Sequence, residues 1–223
     1  MDLSKQLDFL NPTNFNNTQF HIIGLGAIGS TVAEMLCRMG VTNFHLYDFD
    51  KVEAKNLCNQ TFWEPDIGRL KTKAVENNLL RINPYVTATL HNGGWTPQCY
   101  LKDYIFICVD SIELRRQIVE TYRYQPNLKA MFDFRMGLTD AQAYACMWPN
   151  QDNIDKFLTT MDFSDDEAKE AMPVSACGTT LSVIPTVRNI VCLGLANWIN
   201  FVKTGKLNTI ILSDTFHSTL QVF

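Results

Sequence analysis

The sequence has 223 residues, and 46% of them are hydrophobic, which is enough to bury a substantial core within one domain. Its 19 basic and 23 acidic residues give a net charge of −4. No cluster of Lys and Arg supplies the positive surface that a nucleic-acid backbone requires, so the composition makes nucleic acid an unlikely partner.

The sequence also disfavours membrane insertion and disulfide bonding. The first 20 residues lack the charged start and apolar stretch of a signal peptide. The longest apolar zone, 190–202, is interrupted by Asn197 and Asn200 and is shorter than the roughly 20 residues of a membrane span. The 7 cysteines are scattered and contain no CxxC pair, which argues against a disulfide framework and against a four-thiolate zinc site. We therefore expect a soluble protein of the reducing cytoplasm.

Strand-like and helical patterns alternate through the first two thirds of the chain. Apolar runs predict strands at 19–24, 43–48, 85–91, 104–109 and 129–134. Helical periodicity fills 27–40, 68–83 and 111–124. Strands that alternate with helices imply right-handed crossovers and a mainly parallel sheet.

The pattern changes after Asp133. Residues 140–148 predict an antiparallel strand, 178–206 a helix, and 209–214 with 218–223 a closing hairpin. Between them, 149–176 is polar and acidic, and we interpret it either as a solvated excursion or as a mobile segment over a binding site. Ser164 and Glu167 predict a capping box on a short helix in this segment.

A glycine-rich turn, GLGAIG, joins the first predicted strand to the first helix. Gly24 permits the tight turn, Gly26 lets a phosphate approach the backbone, and Gly29 lets the helix pack close to the sheet. Ala27 lies in the same turn, where the helix N-terminus attracts negative charge. With Asp48 placed to bind ribose hydroxyls, these features alone favour an NAD-type site; the alternative is that the glycines only permit packing.

The predicted fold is therefore α/β and Rossmann-like, a mostly parallel sheet flanked by helices, with C-terminal antiparallel strands. We expect one domain over residues 1–223. Its nucleotide-binding part is predicted at 18–135 and its C-terminal part at 136–223.

The segment that follows the glycine turn resembles the ThiF/MoeB/HesA family, relatives of the ubiquitin-activating enzymes. The shared features of YDFDKVEAKNLCNQTFWEPDIGRLKTKAVENNLLRINP are an acidic DxD, an NL followed by Q, a GxxK and a helix that ends in INP. YIFICVDSIELRRQI, FDFRMG and the last long helix also resemble family segments. The resemblance runs in order from about residue 19 to residue 223.

The resemblance implies activation of a carboxylate. In this family the C-terminal carboxylate of a ubiquitin-like or sulfur-carrier protein attacks the α-phosphorus of ATP, which gives an acyl-adenylate and pyrophosphate. Two anions must be aligned and their charge neutralised, so cations and Mg²⁺ matter most. A modified tRNA nucleoside carboxylate is an alternative substrate, a non-catalytic nucleotide-binding subunit is an alternative role, and an NAD-dependent oxidoreductase is a third reading.

The resemblance also assigns roles to individual residues. Carried over by position, Asp48 would bind ribose, Asp50 would lie beside the phosphates, and Asn56 would contact the nucleotide. Lys71 would neutralise phosphate charge and Asp110 would hold Mg²⁺, a hard cation suited to oxygen ligands. Arg115 either joins this site or only pairs with Glu113 or Asp110.

The sequence departs from the family pattern at several positions. Asn59 stands where the family has a phosphate-binding arginine, and it has neither the charge nor the bidentate fork of that residue. Ser111 replaces the Asn that usually follows the metal-binding Asp. An arginine-containing motif before the first strand and the zinc-binding cysteine pairs are also missing. If the activity is retained, a cation must come from elsewhere, so we expect a homodimer or a heterodimer with an arginine-bearing partner.

Two cysteines lie near predicted functional segments. Cys177 precedes the last helix, where some relatives carry a cysteine that bonds covalently to the carrier, and a helix N-terminus favours the reactive thiolate. Cys58 adjoins the nucleotide motif. For both, the alternative is an inert side chain.

Overall fold

The structure is a computed structural model that describes residues 1–170, 173–175 and 181–223. A single eight-stranded sheet runs through it in the order β3-β2-β1-β4-β5-β6-β7-β8. The strands are β1 Phe20–Ile23, β2 Asn43–Tyr47, β3 Thr87–His91, β4 Asp103–Ile107, β5 Leu128–Met136, β6 Asp140–Met147, β7 Ile210–Asp214 and β8 Thr219–Val222.

The sheet is parallel from β3 to β5 and antiparallel from β5 to β8. All the predicted strands, including the closing hairpin, are present. The chain leaves β1 toward β2 on one side and later returns to place β4 on the other side. The carboxyl ends of β1 and β4 therefore meet at a topological switch point, where open α/β sheets bind ligands.

Helices cover both faces of the sheet. They are α1 Ala27–Arg38, α2 Lys71–Ile82, α3 Ile112–Thr121, α4 Gln151–Thr159, α5 Asp165–Glu170 and α6 Ile184–Thr204. Helices α1, α2 and α6 pack against one face, and α3 and α4 pack against the other. The predicted fold class is confirmed.

Helix α6 lies very close to the sheet at one point. Gly194 faces the ring of Phe134, and a Cβ at this glycine would lie 2.2 Å from a ring atom. The helix begins at Ile184. The sequence predicts the helix from residue 178; residues 178–180 lie outside the described part of the chain, and 181–183 are not helical, so the helix begins later than predicted.

The interpretation of 149–176 as a solvated excursion is wrong for its first part. Helix α4 and the turn after it contribute buried side chains to the core on the second face of the sheet, namely Ile154, Phe157, Leu158 and Met161. Their spacing forms one apolar helical stripe, which the polar composition of the segment obscures. The predicted capping box is confirmed, since the amide of Ser164 donates to Glu167 at 2.8 Å and the amide of Glu167 donates to Ser164 Oγ at 3.2 Å.

Two further observations concern membrane-spanning helices and disulfide bonds. Among the described helices, none has the length and apolar character needed to cross a membrane. The six cysteines in the described ranges are all free thiols.

Candidate functional site

The glycine turn has the backbone geometry that its sequence predicts. Gly24 has a φ of 88°, and a Cβ there would lie 2.7 Å from the Cys108 carbonyl oxygen. A Cβ at Gly29 would lie 1.8 Å from the Gly24 carbonyl oxygen, so only glycine allows helix α1 to pack this close to the turn. A Cβ at Gly26, in contrast, would meet no heavy atom within 4 Å. The backbone at Gly26 therefore borders open space at the N-terminus of α1, which begins at Ala27.

Asp48 ties the end of β2 to this turn. Its carboxylate accepts hydrogen bonds from the Leu25 amide at 2.7 Å and from the Asp50 amide at 2.8 Å. Burial raises the pKa of Asp48, and the two amide donors oppose that rise. The carboxylate is thus fixed beside the glycine turn, where the sequence places a ribose-binding group.

Asp50 and Lys71 form an ion pair next to Asp48. Lys71 Nζ donates to Asp50 Oδ2 at 2.8 Å, and the Lys71 amide donates to the Asp50 carbonyl oxygen at 2.9 Å. Lys71 is the first residue of α2. The structure therefore brings the DxD motif and the GxxK motif into direct contact at the carboxyl edge of the sheet.

Asp110 follows strand β4 and has an exposed side chain. Ser111 is the N-cap of α3: its Oγ accepts from the Leu114 amide at 3.0 Å and donates to Asp165 Oδ2 at 2.7 Å. Asp165 also accepts hydrogen bonds from the amides of Ile112 and Glu113. Helix α5 therefore lies against the N-terminus of α3, directly beside Asp110, a contact that the sequence did not predict.

Arg115 has a different partner from the two that the sequence suggested. Its guanidinium is buried and bonds to Asp133 and to the carbonyl oxygens of Val109 and Phe134, rather than to Glu113 or Asp110. Asp133 also pairs with Arg135 at 2.7 Å. Charged residues within the otherwise apolar strand β5 were the sequence signal for this cluster.

The asparagines of the NLCNQ segment make local contacts. Asn56 Oδ1 accepts from the Glu53 amide at 2.8 Å and closes a short 3₁₀ turn. Asn59 Nδ2 donates to Ser182 Oγ, just before α6. Cys58 is exposed, and its thiol donates to the Lys55 carbonyl oxygen at 3.1 Å. Cys177 lies outside the described residues.

The candidate site therefore has two sides. One side combines the glycine turn with Asp48, Asp50 and Lys71. The other side is the end of β4 with Asp110, and the close approach of Gly24 to Cys108 joins the two. Open backbone at a helix N-terminus, a lysine and exposed carboxylates together suit a phosphate-bearing ligand and a hard metal ion.

The chain is similar in part to curated activating enzymes. Over 93 residues it is 42% identical to ubiquitin-like modifier-activating enzyme 5 of Dictyostelium discoideum. This alignment covers 41% of this chain and 24% of that protein. Over 115 residues it is 35% identical to the enzyme of the same name from Rattus norvegicus. This alignment covers 44% of this chain and 28% of that relative. The aligned part thus spans about a quarter of each relative's length.

Solved structures share the fold over nearly the whole chain. Escherichia coli MccB with succinimide superposes with a TM-score of 0.74 at 17% identity, over 99% of this chain and 69% of MccB. E. coli MccB with ATP gives 0.72 at 19% identity, over 96% and 65% of the two chains. PaaA gives 0.73 at 14% identity, over 100% and 68%. A sequence model of the ThiF family matches residues 9–187, and the chain belongs to the ThiF family.

Proposed function

We propose that this chain transfers AMP from ATP to the C-terminal carboxylate of a ubiquitin-like or sulfur-carrier protein. The observation that carries the proposal is the contact between Asp50 and Lys71 at the glycine turn, with Asp110 after the neighbouring strand. Membership of the ThiF family supports it, as do the partial similarity to ubiquitin-like modifier-activating enzymes and the shared fold with a protein solved with ATP.

In the proposed reaction, a carboxylate oxygen forms a bond to the α-phosphorus of ATP. The bond between that phosphorus and the bridging oxygen to the β-phosphate breaks, and pyrophosphate leaves with the electron pair. The open backbone at Gly26 would receive phosphate, Asp48 would hold ribose, and Lys71 would neutralise charge that develops on the phosphates. The protein contributes alignment and charge rather than a covalent intermediate in this step.

The residues present fit Mg²⁺ as a companion of ATP. Mg²⁺ is commonly held by one or two carboxylates together with substrate phosphates and water, rather than by an all-protein cage. Asp110 is one exposed carboxylate, and within the described ranges no group of three or more His, Cys, Asp or Glu is arranged to hold a metal alone. When bound, the ion would neutralise phosphate charge beside Asp110.

One observation favours a second candidate, a non-catalytic nucleotide-binding subunit that completes a partner. The Asn59 side chain, which replaces the family arginine, donates to Ser182 and so makes a structural contact. A partner subunit that carries an arginine would restore the missing charge. The two candidates differ in whether the isolated chain forms an adenylate.

Calorimetric titration with Mg²⁺ and ATP, and separately with NAD, tests the nucleotide. We expect ATP to bind and NAD to give no heat. Exchange of labelled pyrophosphate into ATP, measured with a carrier protein that ends in Gly-Gly, then tests the chemistry. Binding without exchange would support the non-catalytic subunit, and micromolar NAD binding with silent ATP would overturn both candidates.

A further inference from the structure

Three charged side chains form a buried cluster beneath the candidate site. The Asp133 carboxylate is fully buried, and it lies between the guanidinium groups of Arg115 and Arg135, which are 5% and 9% exposed. One carboxylate oxygen accepts from Arg115 and the other accepts from Arg135 Nε at 2.7 Å. Each guanidinium then reaches in a different direction.

Arg115 reaches toward the end of β4. Its second terminal nitrogen donates to the Val109 carbonyl oxygen, the peptide group that joins Val109 to Asp110. The Val109 amide also forms a wall of the glycine turn, since a Cβ at Gly24 would lie 3.0 Å from it. The orientation of this short segment therefore sets both the position of Asp110 and the shape of the turn.

Arg135 reaches the end of α4. It donates to the Thr160 carbonyl oxygen and, at 2.9 Å, to Thr160 Oγ1. Its guanidinium also lies over the Tyr144 ring, 4.3 Å from the centroid, which restricts it further. Asp133 thus connects the turn after α4 to the peptide before Asp110 through an unbroken chain of charge-assisted hydrogen bonds.

Stability alone does not account for such a cluster. Desolvation of three charges offsets much of their mutual attraction, and a well-packed apolar set is often equally stable. What the cluster provides is directional: planar guanidinium groups fix their partners in one geometry. Outer partners of this kind commonly orient the carboxylates that bind metals.

We infer that Arg115, Asp133 and Arg135 are positioning residues for Asp110, and that they couple its position to the turn at Thr160. The inference rests on the proposed role of Asp110 in metal binding. Thr160 belongs to the same segment that places Asp165 on the α3 N-terminus. A shift of that segment would therefore reach Asp110 both through the buried cluster and through the contact of Asp165 with Ser111.

The experiment compares two neighbouring threonines. Thr160 accepts from Arg135, whereas Thr159 is exposed and its hydroxyl donates to the Lys156 carbonyl oxygen at 2.7 Å. The Thr160 hydroxyl likewise donates within the helix end, to the Phe157 carbonyl oxygen at 2.7 Å. Of the two threonines, Thr160 is the one that contacts the cluster. Thr160→Val removes the hydroxyl acceptor of Arg135 and leaves the backbone carbonyl acceptor in place. Thr159→Val is the matched control, and Arg135→Lys replaces the planar fork with a single ammonium.

Amide hydrogen exchange by mass spectrometry reads residues 108–111 directly and needs no activity. We expect about fivefold faster exchange there in Thr160→Val and Arg135→Lys, and unchanged exchange in Thr159→Val. Equal exchange in all three variants and the parent chain would overturn the inference.

The Mg²⁺ concentration for half-maximal pyrophosphate exchange is the second readout. We expect it to rise about tenfold in Arg135→Lys. If the parent chain neither binds ATP nor exchanges pyrophosphate, the proposed function is wrong. The hydrogen-exchange result would still decide whether Asp110 is coupled to the turn at Thr160.

Discussion

Lys71 Nζ lies 2.8 Å from Asp50 Oδ2, and the lysine side chain is only 9% exposed whereas that of Asp50 is 51% exposed. The lysine is therefore held with its charge already paired. A phosphate that approaches Gly26 would have to share Lys71 with Asp50. A paired, buried cation that is already held in place needs little reorganisation to accept a second anion.

We expect Lys71→Gln to weaken ATP binding by about 10- to 100-fold, because a charge-assisted hydrogen bond to phosphate is lost. Calorimetry with Mg²⁺ and ATP measures the change. Lys73→Gln is the matched control, since Lys73 lies two residues further along α2 and pairs with Glu76. Equal affinity in the two variants would remove Lys71 from the proposed site.

We expect Asp110→Ala to reduce pyrophosphate exchange by about 100-fold or more while the fold stays intact, because an exposed metal carboxylate contributes to chemistry rather than to packing. Asp152→Ala, at an exposed position in the first turn of α4, is the control. Circular dichroism checks the fold of both. Unchanged exchange in Asp110→Ala would show that the metal ligand lies elsewhere.

Two alanine substitutions in the glycine turn should have opposite effects. Gly29→Ala places a Cβ against the Gly24 carbonyl oxygen, so we expect a loss of several kcal/mol in the free energy of unfolding. Gly26→Ala meets no neighbouring atom and should leave stability nearly unchanged, yet it occupies the space proposed for phosphate and should weaken ATP binding. Urea unfolding and calorimetry on both variants measure the two quantities. Strong ATP binding by a stable Gly26→Ala would contradict this placement.

We expect Asn59→Arg to increase pyrophosphate exchange by about 100-fold, because it places a cation beside the site that we propose for the phosphates. The substitution also breaks the contact with Ser182, so Ser182→Ala serves as the control for that loss. Addition of an arginine-bearing partner, or formation of a dimer, should increase pyrophosphate exchange over that of the monomer by a similar factor. Light scattering detects the dimer. High activity in the isolated monomer that Asn59→Arg leaves unaltered would contradict this account of Asn59.

Acid should destabilise the protein through a row of histidines that crosses three strands. His21, His45 and His91 lie on β1, β2 and β3, and the His21 and His45 rings stack with centroids 4.4 Å apart. His21 Nδ1 is 3.0 Å from the Tyr47 hydroxyl, and its Nε2 accepts from the Lys102 amide at 3.4 Å. Burial, together with the charges of the other two histidines and Lys102, lowers the pKa of His21 to about 2.

The direction in which pH changes the stability follows from proton uptake. Below the ordinary histidine pKa of about 6.5, the unfolded chain binds a proton that the folded His21 does not, so stability falls as the pH falls. At pH 5 we expect a loss of about 2 kcal/mol from His21 alone. Urea unfolding between pH 7 and pH 5 measures it, and His21→Gln should reduce the slope without abolishing it, because burial also lowers the pKa of His45 to about 4 and lowers that of His91. An unchanged slope in that variant would assign the acid sensitivity to other groups.

The sequence predicts those parts of the site that depend on neighbouring residues. The glycine turn, the DxD motif and the start of α2 follow from local patterns, and the parallel order of β1, β2 and β4 brings them to one edge. The cluster around Asp133 escaped prediction because its partners, Val109 and Thr160, lie 24 and 27 residues away in the chain. Its only sequence sign was charge within an apolar strand.

The core contribution of α4 escaped prediction for another reason. Its buried stripe, which runs from Ile154 to Met161, is narrow, and acidic residues surround it. Average composition over the segment hides a stripe of this kind, whereas its helical spacing reveals it. The contact of Asp165 with the α3 N-terminus joins residues 53 positions apart and had no local signature.

The contact between Gly194 and Phe134 limits how helix α6 can move. The Phe134 ring packs against the helix backbone at Gly194. If α6 slid along its axis or rotated about it, the ring would meet side chains of the neighbouring turns instead of bare backbone. The contact therefore resists a displacement of α6 as a rigid rod, which would otherwise shift Ser182, the residue before α6 that accepts a hydrogen bond from Asn59. An adjustment of Ser182 relative to α6 therefore falls on Val183, the one residue between Ser182 and Ile184.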